Sequence, residues 1–456
     1  MKKLSVKLAV VGTALALVGA FAAGPAGATP PTGYGFDDTS HVIVGGGSDT
    51  TFFTMQQLAE GWQRSDFGNT GGCTVNTTAG TANVNGCVSN PNPETSDLGN
   101  WQHDTIAQAN PAGSSAGIAS LNGVGSYQGT ANSSNVDFAR SSRGPRTSGG
   151  AGSCPNELTC DTFWGFGEDG VQVIVFGNRA TQFPSPTTAL TANEIFGIWD
   201  CTITQWSQIP ELGITPGSAN DGPIVPWQMQ GSSGTFATFQ SWIANNASGV
   251  PSGWSPDGQA CDRQLSSGHP PFENDVKPLI NDPATISSSN TSTDNPTNWI
   301  WWGSFGVLSS FPFLANPVRG GTTFNTFAAP VNGHLPSQSS VLSTSYPIVR
   351  TLYHVTKKTD ADCAKTGGSC DFPGNPGPAI SGGGNDLNVT GGTSGTSGSV
   401  REFTRFLCRQ TAAQQQVDPY LGNNYFGEIS AALAASGFTV VPTGLRTSGS
   451  RCQVVS

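Results

Sequence analysis

The feature that most constrains the fold of this chain is a repeated unit made of a short apolar strand, a turn of small residues and an amphipathic helix. In the first unit the strand at 41–44 runs into the turn at 45–51, and apolar residues at helical spacing follow from Phe52 onward. In the second unit a strand at 224–227 precedes the turn at 231–235, and a helix with one apolar face follows. Alternating short strands and helices predict an α/β fold with three layers.

Other segments fit the same pattern. The apolar run at 171–176 is typical of a strand covered on both faces. Thr191 and Glu194 form a capping-box pattern that predicts the start of a helix. A late strand is expected from Tyr346 and an amphipathic helix over 400–409. Residues 66–112 are polar and resemble an inserted loop region, and the tracts 284–298 and 381–399 are predicted to be surface loops.

The charge balance restricts the partners of this chain. It has 456 residues, 20 of them basic and 30 acidic, so its formal net charge is −10. This length favours two lobes or domains over one. An acidic chain with few basic residues is not expected to bind nucleic acid. If it binds an anion, local donors must hold that anion, because the overall field of the protein repels it.

The N-terminus has the pattern of a secretory signal peptide. Basic Lys2, Lys3 and Lys7 precede an uncharged apolar run at 8–23, and the small residues at 26–28 fit a cleavage site after Ala28. The predicted mature protein is therefore secreted, either extracellular or in the cell envelope. The residue directly after the predicted cleavage site is Thr29 and not Cys, so no lipoprotein anchor is expected, and no later segment is predicted to be inserted in a membrane.

Ten cysteines lie after the predicted cleavage site, and export makes disulfides the natural interpretation. Zinc is the alternative, but no CxxC pattern occurs and no His lies near the cysteine pairs. Sequence alone does not fix which cysteines pair. Pairing within local segments predicts five bonds: Cys73–Cys87, Cys154–Cys160, Cys201–Cys261, Cys363–Cys370 and Cys408–Cys452.

Three turns offer donors to an oxyanion. They are Ser48 to Phe52, Ser232 to Phe236 and the turn at 123–126. Free backbone N–H groups at the start of a helix, together with hydroxyls, suit an anion, although simple N-capping is the alternative for each turn. Neither helix-start turn fits a nucleotide-binding loop, and no nucleophile motif or metal cluster indicates an enzyme. No cofactor is expected.

The segment 190–206 (LTANEIFGIWDCTITQW) resembles a stretch of the phosphate-binding proteins of phosphate ABC transporters. Four more stretches resemble that family in the same order: 45–52, 123–142, 230–236 and 346–348. The resemblance implies the type 2 periplasmic-binding-protein fold, with two α/β lobes joined by two crossover strands and closing like a hinge on a ligand. The expected boundaries are 29–169 plus 350–456 for lobe 1 and 170–349 for lobe 2, with crossovers near 170–176 and 346–353.

The resemblance also implies a ligand set. In such proteins, hydroxyls and backbone N–H groups from both lobes hold the dehydrated phosphate. Carried over by motif, these groups belong to Thr51, Phe52 (backbone), Ser126, Ser233, Gly234 (backbone) and Thr235.

Two charged positions of the family differ in this chain. The family's Asp in the DFxASD motif aligns with Ser142, and its Arg before the SGT motif aligns with Met229. Arg143, or else Arg140, is expected to supply the positive charge, although both could be solvated surface residues. Asp49 could replace the lost acceptor or could simply cap a helix.

Two functions are compatible with the sequence. The first is a secreted solute-binding protein for phosphate or a related oxyanion, serving an ABC permease or scavenging freely. The second is a surface carbohydrate-binding or adhesion protein. It is suggested by the inserted Gly/Asn-rich loops, by the missing charged ligands and by Trp299, Trp301 and Trp302, which could stack on a sugar ring if they were exposed. Burial of these three side chains in the core is the more ordinary expectation.

Overall fold

A computed structural model supplies the structure of the chain. It describes 42–64, 74–76, 83–85, 105–108, 112–124, 136–150, 152, 154–176, 188–263, 273, 298–309, 318–319, 322–323, 326–358, 400, 403–404, 407–408, 425–447 and 450–456. The signal peptide, the pairs Cys73–Cys87 and Cys363–Cys370, Ser126, and most of the loop region 66–112 lie outside the described residues.

The described helices and strands alternate along the chain. In order they are β1 (Val42–Gly47), α1 (Phe52–Arg64), β2 (Thr74–Asn76), β3 (Asn83–Asn85), β4 (Thr105–Gln108), α2 (Ser114–Leu121), β5 (Phe138–Ser141), β6 (Asp161–Phe176), α3 (Ala192–Trp199), β7 (Val225–Pro226), α4 (Gly234–Asn246), β8 (Trp299–Ser304), α5 (Phe305–Ser309), β9 (Val318–Arg319), β10 (Thr322–Thr323), β11 (Thr326–Ala329), α6 (Gln338–Leu342), β12 (Val349–Lys357), α7 (Tyr425–Ala435), β13 (Thr439–Val440) and β14 (Gln453–Val455).

A mixed ten-stranded sheet organises the fold. Its order is β4-β1-β5-β12-β6-β8-β7, and β11, β13 and β14 also pair with β6. Strands β4, β1 and β5 are parallel, as strand–helix–strand units require. Strand β12 is antiparallel to both of its neighbours, β5 and β6.

Strand β6 is longer than the sequence predicts and runs through both halves of the sheet. Its residues from Asp161 to Gly170 pair with β12, and from Val171 its partner is β8. Val349, at the start of β12, is opposite Gly170. The two segments in which crossovers are expected, 170–176 and 346–353, therefore lie where the pairing of β6 changes from β12 to β8.

The buried apolar residues form separate cores. One core surrounds α3, α4, β7, β8 and the second half of β6, and we call it the tryptophan core. The other two clusters involve α1, α2, α7, β5 and β12, and we call them together the N-terminal core. Val307, inside the predicted range of lobe 2, packs in the N-terminal core, so the lobe boundaries given above stay a prediction.

Local signals in the sequence identify two helix starts correctly. Thr191 and Glu194 form the capping box of α3, and the Ser233 side chain accepts from Thr235 N–H at the start of α4.

Three of the predicted disulfides are confirmed: Cys154–Cys160, Cys201–Cys261 and Cys408–Cys452. Cys201, Cys261 and Asp262 lie close enough to hold a metal ion, but the two sulfurs are already joined to each other. In the described part of the chain, no helix has the length and apolar character needed to cross a membrane.

Candidate oxyanion site

The turn between β1 and α1 carries buried hydroxyls. Ser48, Thr50 and Thr51 are each at most 3% exposed. Ser48 N–H donates to Arg140 O at 2.9 Å, which ties the turn to β5. Within the described residues, the buried Thr51 hydroxyl has no hydrogen-bond partner. An unpaired hydroxyl in a protein interior is costly, so Thr51 is suited to bind a polar ligand.

The start of α4 faces this turn. Ser233 and Thr235 are buried at the helix N-terminus, where the positive end of the helix dipole lies. A Cβ on Gly234 would lie 2.4 Å from Ser142 Oγ and 2.6 Å from Ser114 Oγ. Position 234 therefore requires glycine, because any side chain would displace two hydroxyls.

The third turn of the site differs from the one expected at 123–126. Gly123 follows α2 with a positive φ of 71°, as is common where a helix ends. The N-terminus of α2, where the free N–H groups lie, begins instead at Ser114. Ser114 Oγ accepts from Ser142 N–H at 3.0 Å. The N-terminus of α2 therefore adds a donor that the sequence analysis did not name, and the expected ligand Ser126 lies outside the described residues and stays a prediction.

Five buried hydroxyls meet at one point, and we call them the hydroxyl cluster: Ser48, Thr50, Ser114, Ser142 and Thr235. Ser142 Oγ is central, since it lies 2.9 Å from Ser48 Oγ, 3.3 Å from Thr50 Oγ1 and 3.4 Å from Ser114 Oγ. Thr50 Oγ1 and Thr235 Oγ1 are 3.3 Å apart. Hydroxyls can both donate and accept, so the cluster can turn its protons toward a ligand.

The hydroxyl cluster joins the two cores. Thr50 precedes α1, whose Met55 and Leu58 pack in the N-terminal core. Thr235 lies in the first turn of α4, whose Phe239 packs in the tryptophan core. The two backbones are also hydrogen-bonded nearby, because Ser115 N–H donates to Ser232 O at 3.3 Å.

The guanidinium at the hydroxyl cluster belongs to Arg350, near the start of β12. Its Nη1 donates to Thr235 Oγ1 at 2.5 Å and its Nη2 to Thr50 Oγ1 at 3.3 Å. Its Nε and Nη2 also donate to Asp169 Oδ2 at 3.0 and 2.7 Å. Arg350 and Asp169 are opposite each other on β12 and β6, so the strand pairing places this ion pair directly.

The two arginines expected from the sequence make other contacts in this structure, and their role at a ligand stays a prediction. Arg143 forms a bidentate ion pair with Glu157, with N–O distances of 2.8 and 2.7 Å, because its side chain extends toward the turn that holds Glu157. Arg140 donates to the carbonyls of Gly45 and Ser48 and lies over the Phe52 ring. Arg140 thus braces the β1–α1 turn.

Met229, which stands where the family has an arginine, makes local contacts, as do the neighbouring Gln228 and the possible acceptor Asp49. Met229 is fully buried, and its N–H donates to Asp257 Oδ1 at 3.3 Å. The neighbouring Gln228 side chain donates to Asp262 at 3.3 Å. Asp49 is buried, and its carbonyl accepts from Phe52 N–H at 3.1 Å.

A second carboxylate, Glu273, also lies at the hydroxyl cluster. It is fully buried and accepts from Thr50 Oγ1 at 2.9 Å and from Thr235 Oγ1. Its Oε1 lies 3.5 Å from Arg350 Nη2. Nothing in the local sequence, which is rich in proline and polar residues, marks this glutamate as a site residue.

The three tryptophans considered as a sugar-stacking surface are core residues. Trp299, Trp301 and Trp302 are at most 1% exposed. Trp302 stacks on Phe239 with ring centroids 4.4 Å apart. The ordinary expectation of burial is confirmed, and these rings are not available to a ligand at the surface.

A family profile described as a PBP superfamily domain matches residues 102–366, which is more than half of the chain. A search of curated proteins finds no match.

The chain is also similar to solved structures of other proteins, among them the following three. An ABC-type phosphate transport receptor from Vibrio cholerae is 19% identical, with a TM-score of 0.39, and the match covers 70% of this chain and 88% of that one. A putative phosphate ABC transporter substrate-binding protein from Clostridium perfringens, with bound phosphate, is 16% identical (TM-score 0.43; 87% and 98% covered). A possible phosphate binding protein from Planctomyces limnophilus is 14% identical (TM-score 0.37; 86% and 99% covered).

Proposed function

The chain belongs to the PBP superfamily, and on that premise we propose that it is a secreted solute-binding protein for phosphate or a related oxyanion. The membership confirms the fold class expected from the sequence, an α/β binding-protein fold with two lobes. The proposed role is binding and not catalysis, and it needs no cofactor.

The observation that carries the proposal is the meeting of the hydroxyl cluster with Arg350. Buried hydroxyls from the edges of two separate cores converge on one guanidinium. A dehydrated oxyanion needs several directed donors and a positive charge to replace its hydration shell. Donors that come from both cores can be brought together around one small ligand, which favours a binding protein with a cleft.

The proposed ligand set keeps most of the residues expected from the sequence. Hydroxyls come from Thr51, Ser142, Ser233 and Thr235, and N–H groups from Phe52 and Gly234. We add Ser114 and Arg350, and Arg350 takes the role first given to Arg143.

Delivery to an ABC permease is part of the proposal. Three disulfides among the described residues fit an oxidising compartment outside the cytoplasm. The signal peptide and its cleavage near Ala28 stay predictions from the sequence.

The carbohydrate-binding alternative loses one of its supports, because the tryptophans that suggested it are buried.

Isothermal titration of the oxidised, mature protein tests the proposal. Phosphate, arsenate, sulfate and a neutral sugar are titrated separately into ligand-free protein. We expect one molecule of phosphate to bind per chain and the sugar to give no binding heat. Absence of binding with every oxyanion would refute the proposed function, and binding of the sugar alone would favour the carbohydrate alternative.

A further inference from the structure

Glu273 is the most unusual group at the hydroxyl cluster, because its own carboxylate is held by the kinds of donor that would bind an anionic ligand. Besides the hydroxyls of Thr50 and Thr235, its carboxylate accepts from Ser304 N–H at 3.2 Å. Two hydroxyls, one backbone N–H and a nearby guanidinium are the donors that an oxyanion requires. The carboxylate therefore has the coordination that an external ligand would have.

Glu273 shares Thr235 and Arg350 with the proposed ligand set, and it also engages the neighbouring hydroxyl of Thr50. Each hydroxyl carries one proton. Thr50 and Thr235 receive hydrogen bonds from Arg350 and donate their own protons to Glu273. Neither hydroxyl can donate to an oxyanion while it donates to this carboxylate.

The same contacts connect the two sides of the site. Thr50 leads into α1 and the N-terminal core, whereas Thr235 and Ser304 belong to α4 and β8, which pack in the tryptophan core. The Glu273–Thr50 hydrogen bond therefore crosses from one side to the other. Breaking it removes a contact that holds the sides together.

The charges make simultaneous binding of both anions unfavourable. Arg350 is the guanidinium at the hydroxyl cluster, and its Nη2 already lies 2.7 Å from Asp169 and 3.5 Å from Glu273. An oxyanion added beside these two carboxylates would meet a net negative charge in a buried region, where Coulomb repulsion is strong.

We infer that Glu273 is an internal anion that occupies the donors of this site, holds its two sides together and must give up those donors when an external oxyanion binds. The release of these donors to an oxyanion rests on the proposed function. The contacts of Glu273 with Thr50 and Thr235, which we call the internal latch, concern the ligand-free protein alone. Binding is then a competition between two anions, and the latched form reduces the apparent affinity.

Glu273→Gln tests the latch, because it removes the charge and keeps the shape. Glu157→Gln is the matched control, since Glu157 is also a buried glutamate paired with an arginine, but both partners lie on the same side of the site. Small-angle scattering measures the radius of gyration of each ligand-free protein, and titration calorimetry measures phosphate binding. We expect Glu273→Gln to enlarge the ligand-free protein and to lower the Kd for phosphate about tenfold, and Glu157→Gln to change neither quantity.

Thr50→Val removes the other end of the latch and serves if Glu273→Gln does not fold. It should enlarge the ligand-free protein as well, and the double variant should show no additional expansion, because both changes break one contact. Unchanged scattering in the folded variants, or weaker phosphate binding in Glu273→Gln, would overturn the inference. If no variant binds any oxyanion, the proposed function fails, and the scattering comparison still decides whether the latch exists.

Discussion

Neutralising the Arg350–Asp169 ion pair is the sharpest test of where the positive charge of the site lies. Removing Arg350 alone would leave Asp169 buried without its partner, which costs about 3–5 kcal/mol of stability and confuses the result. The double variant Arg350→Gln, Asp169→Asn removes both charges and keeps the net charge of the site unchanged. Any loss of anion binding then reports the lost guanidinium donors.

The structure sets the size of the expected effect. Arg350 reaches hydroxyls on both sides of the site, Thr50 at 3.3 Å and Thr235 at 2.5 Å. A hydrogen bond from a charged donor is worth about 1.5–3 kcal/mol, so phosphate affinity should fall by roughly 10- to 150-fold. Titration calorimetry at constant pH and low salt measures this change.

The matched control is the double variant Arg143→Gln, Glu157→Gln. This pair is also buried, with side chains 5% and 2% exposed, and its shortest N–O distance is likewise 2.7 Å. We expect phosphate binding in this control to match that of the wild type. Full affinity in the Arg350 double variant, or an equal loss in the Arg143 double variant, would refute the assignment.

Three further predictions follow from single features. Gly234→Ala should weaken phosphate binding at least tenfold, because its Cβ would lie 2.4 Å from Ser142 Oγ, whereas Gly231→Ala, with no atom within 4 Å of its Cβ, should bind normally in the same titration. Replacing Cys201 and Cys261 together with Ser should lower the free energy of unfolding by up to about 4 kcal/mol in urea, because the bond closes a long loop with a separation of 60 residues; an unchanged midpoint would contradict this. Burial raises the pKa of Glu168 to about 7, so the folded state binds more protons than the unfolded state between about pH 4.5 and pH 7, and stability should decline as pH rises through this window. Glu168→Gln should flatten that decline in denaturation curves at pH 5 and pH 8, and an unchanged slope would contradict the prediction.

The sequence predicts the helix-start turns well, because their signals are local. The capping pattern at Thr191 and the Ser233–Thr235 turn depend on residues a few positions apart, and both appear where expected. The strand at 171–176 was also recognised. Its extension back to Asp161 was missed, because the segment 161–170 contains acidic residues and glycines that do not suggest a buried strand.

Arg350 could not be assigned from spacing, since 115 positions separate it from Thr235. Only the antiparallel pairing of β12 with β6 places it beside Asp169. One signal did exist, because an arginine inside an apolar strand pattern needs a buried partner, and two acidic residues precede the apolar run at 171–176.

Ser114 was missed for a different reason. The glycine-rich stretch at 123–126 is the third candidate turn in the sequence, and its first residue, Gly123, lies just after the C-cap of α2. The small residues at 113–115, just before Ile118 and Leu121 at helical spacing, were the better indication of a helix start.

A crystal structure of the protein with arsenate measures the central claim most directly, because the anomalous signal of arsenic locates the anion without assumptions about the binding residues. The account predicts one strong peak per chain, with arsenate oxygens within hydrogen-bonding distance of Arg350 and of hydroxyls from both Thr51 and Thr235. A peak beside Arg143, or peaks at surface cations alone, would contradict it.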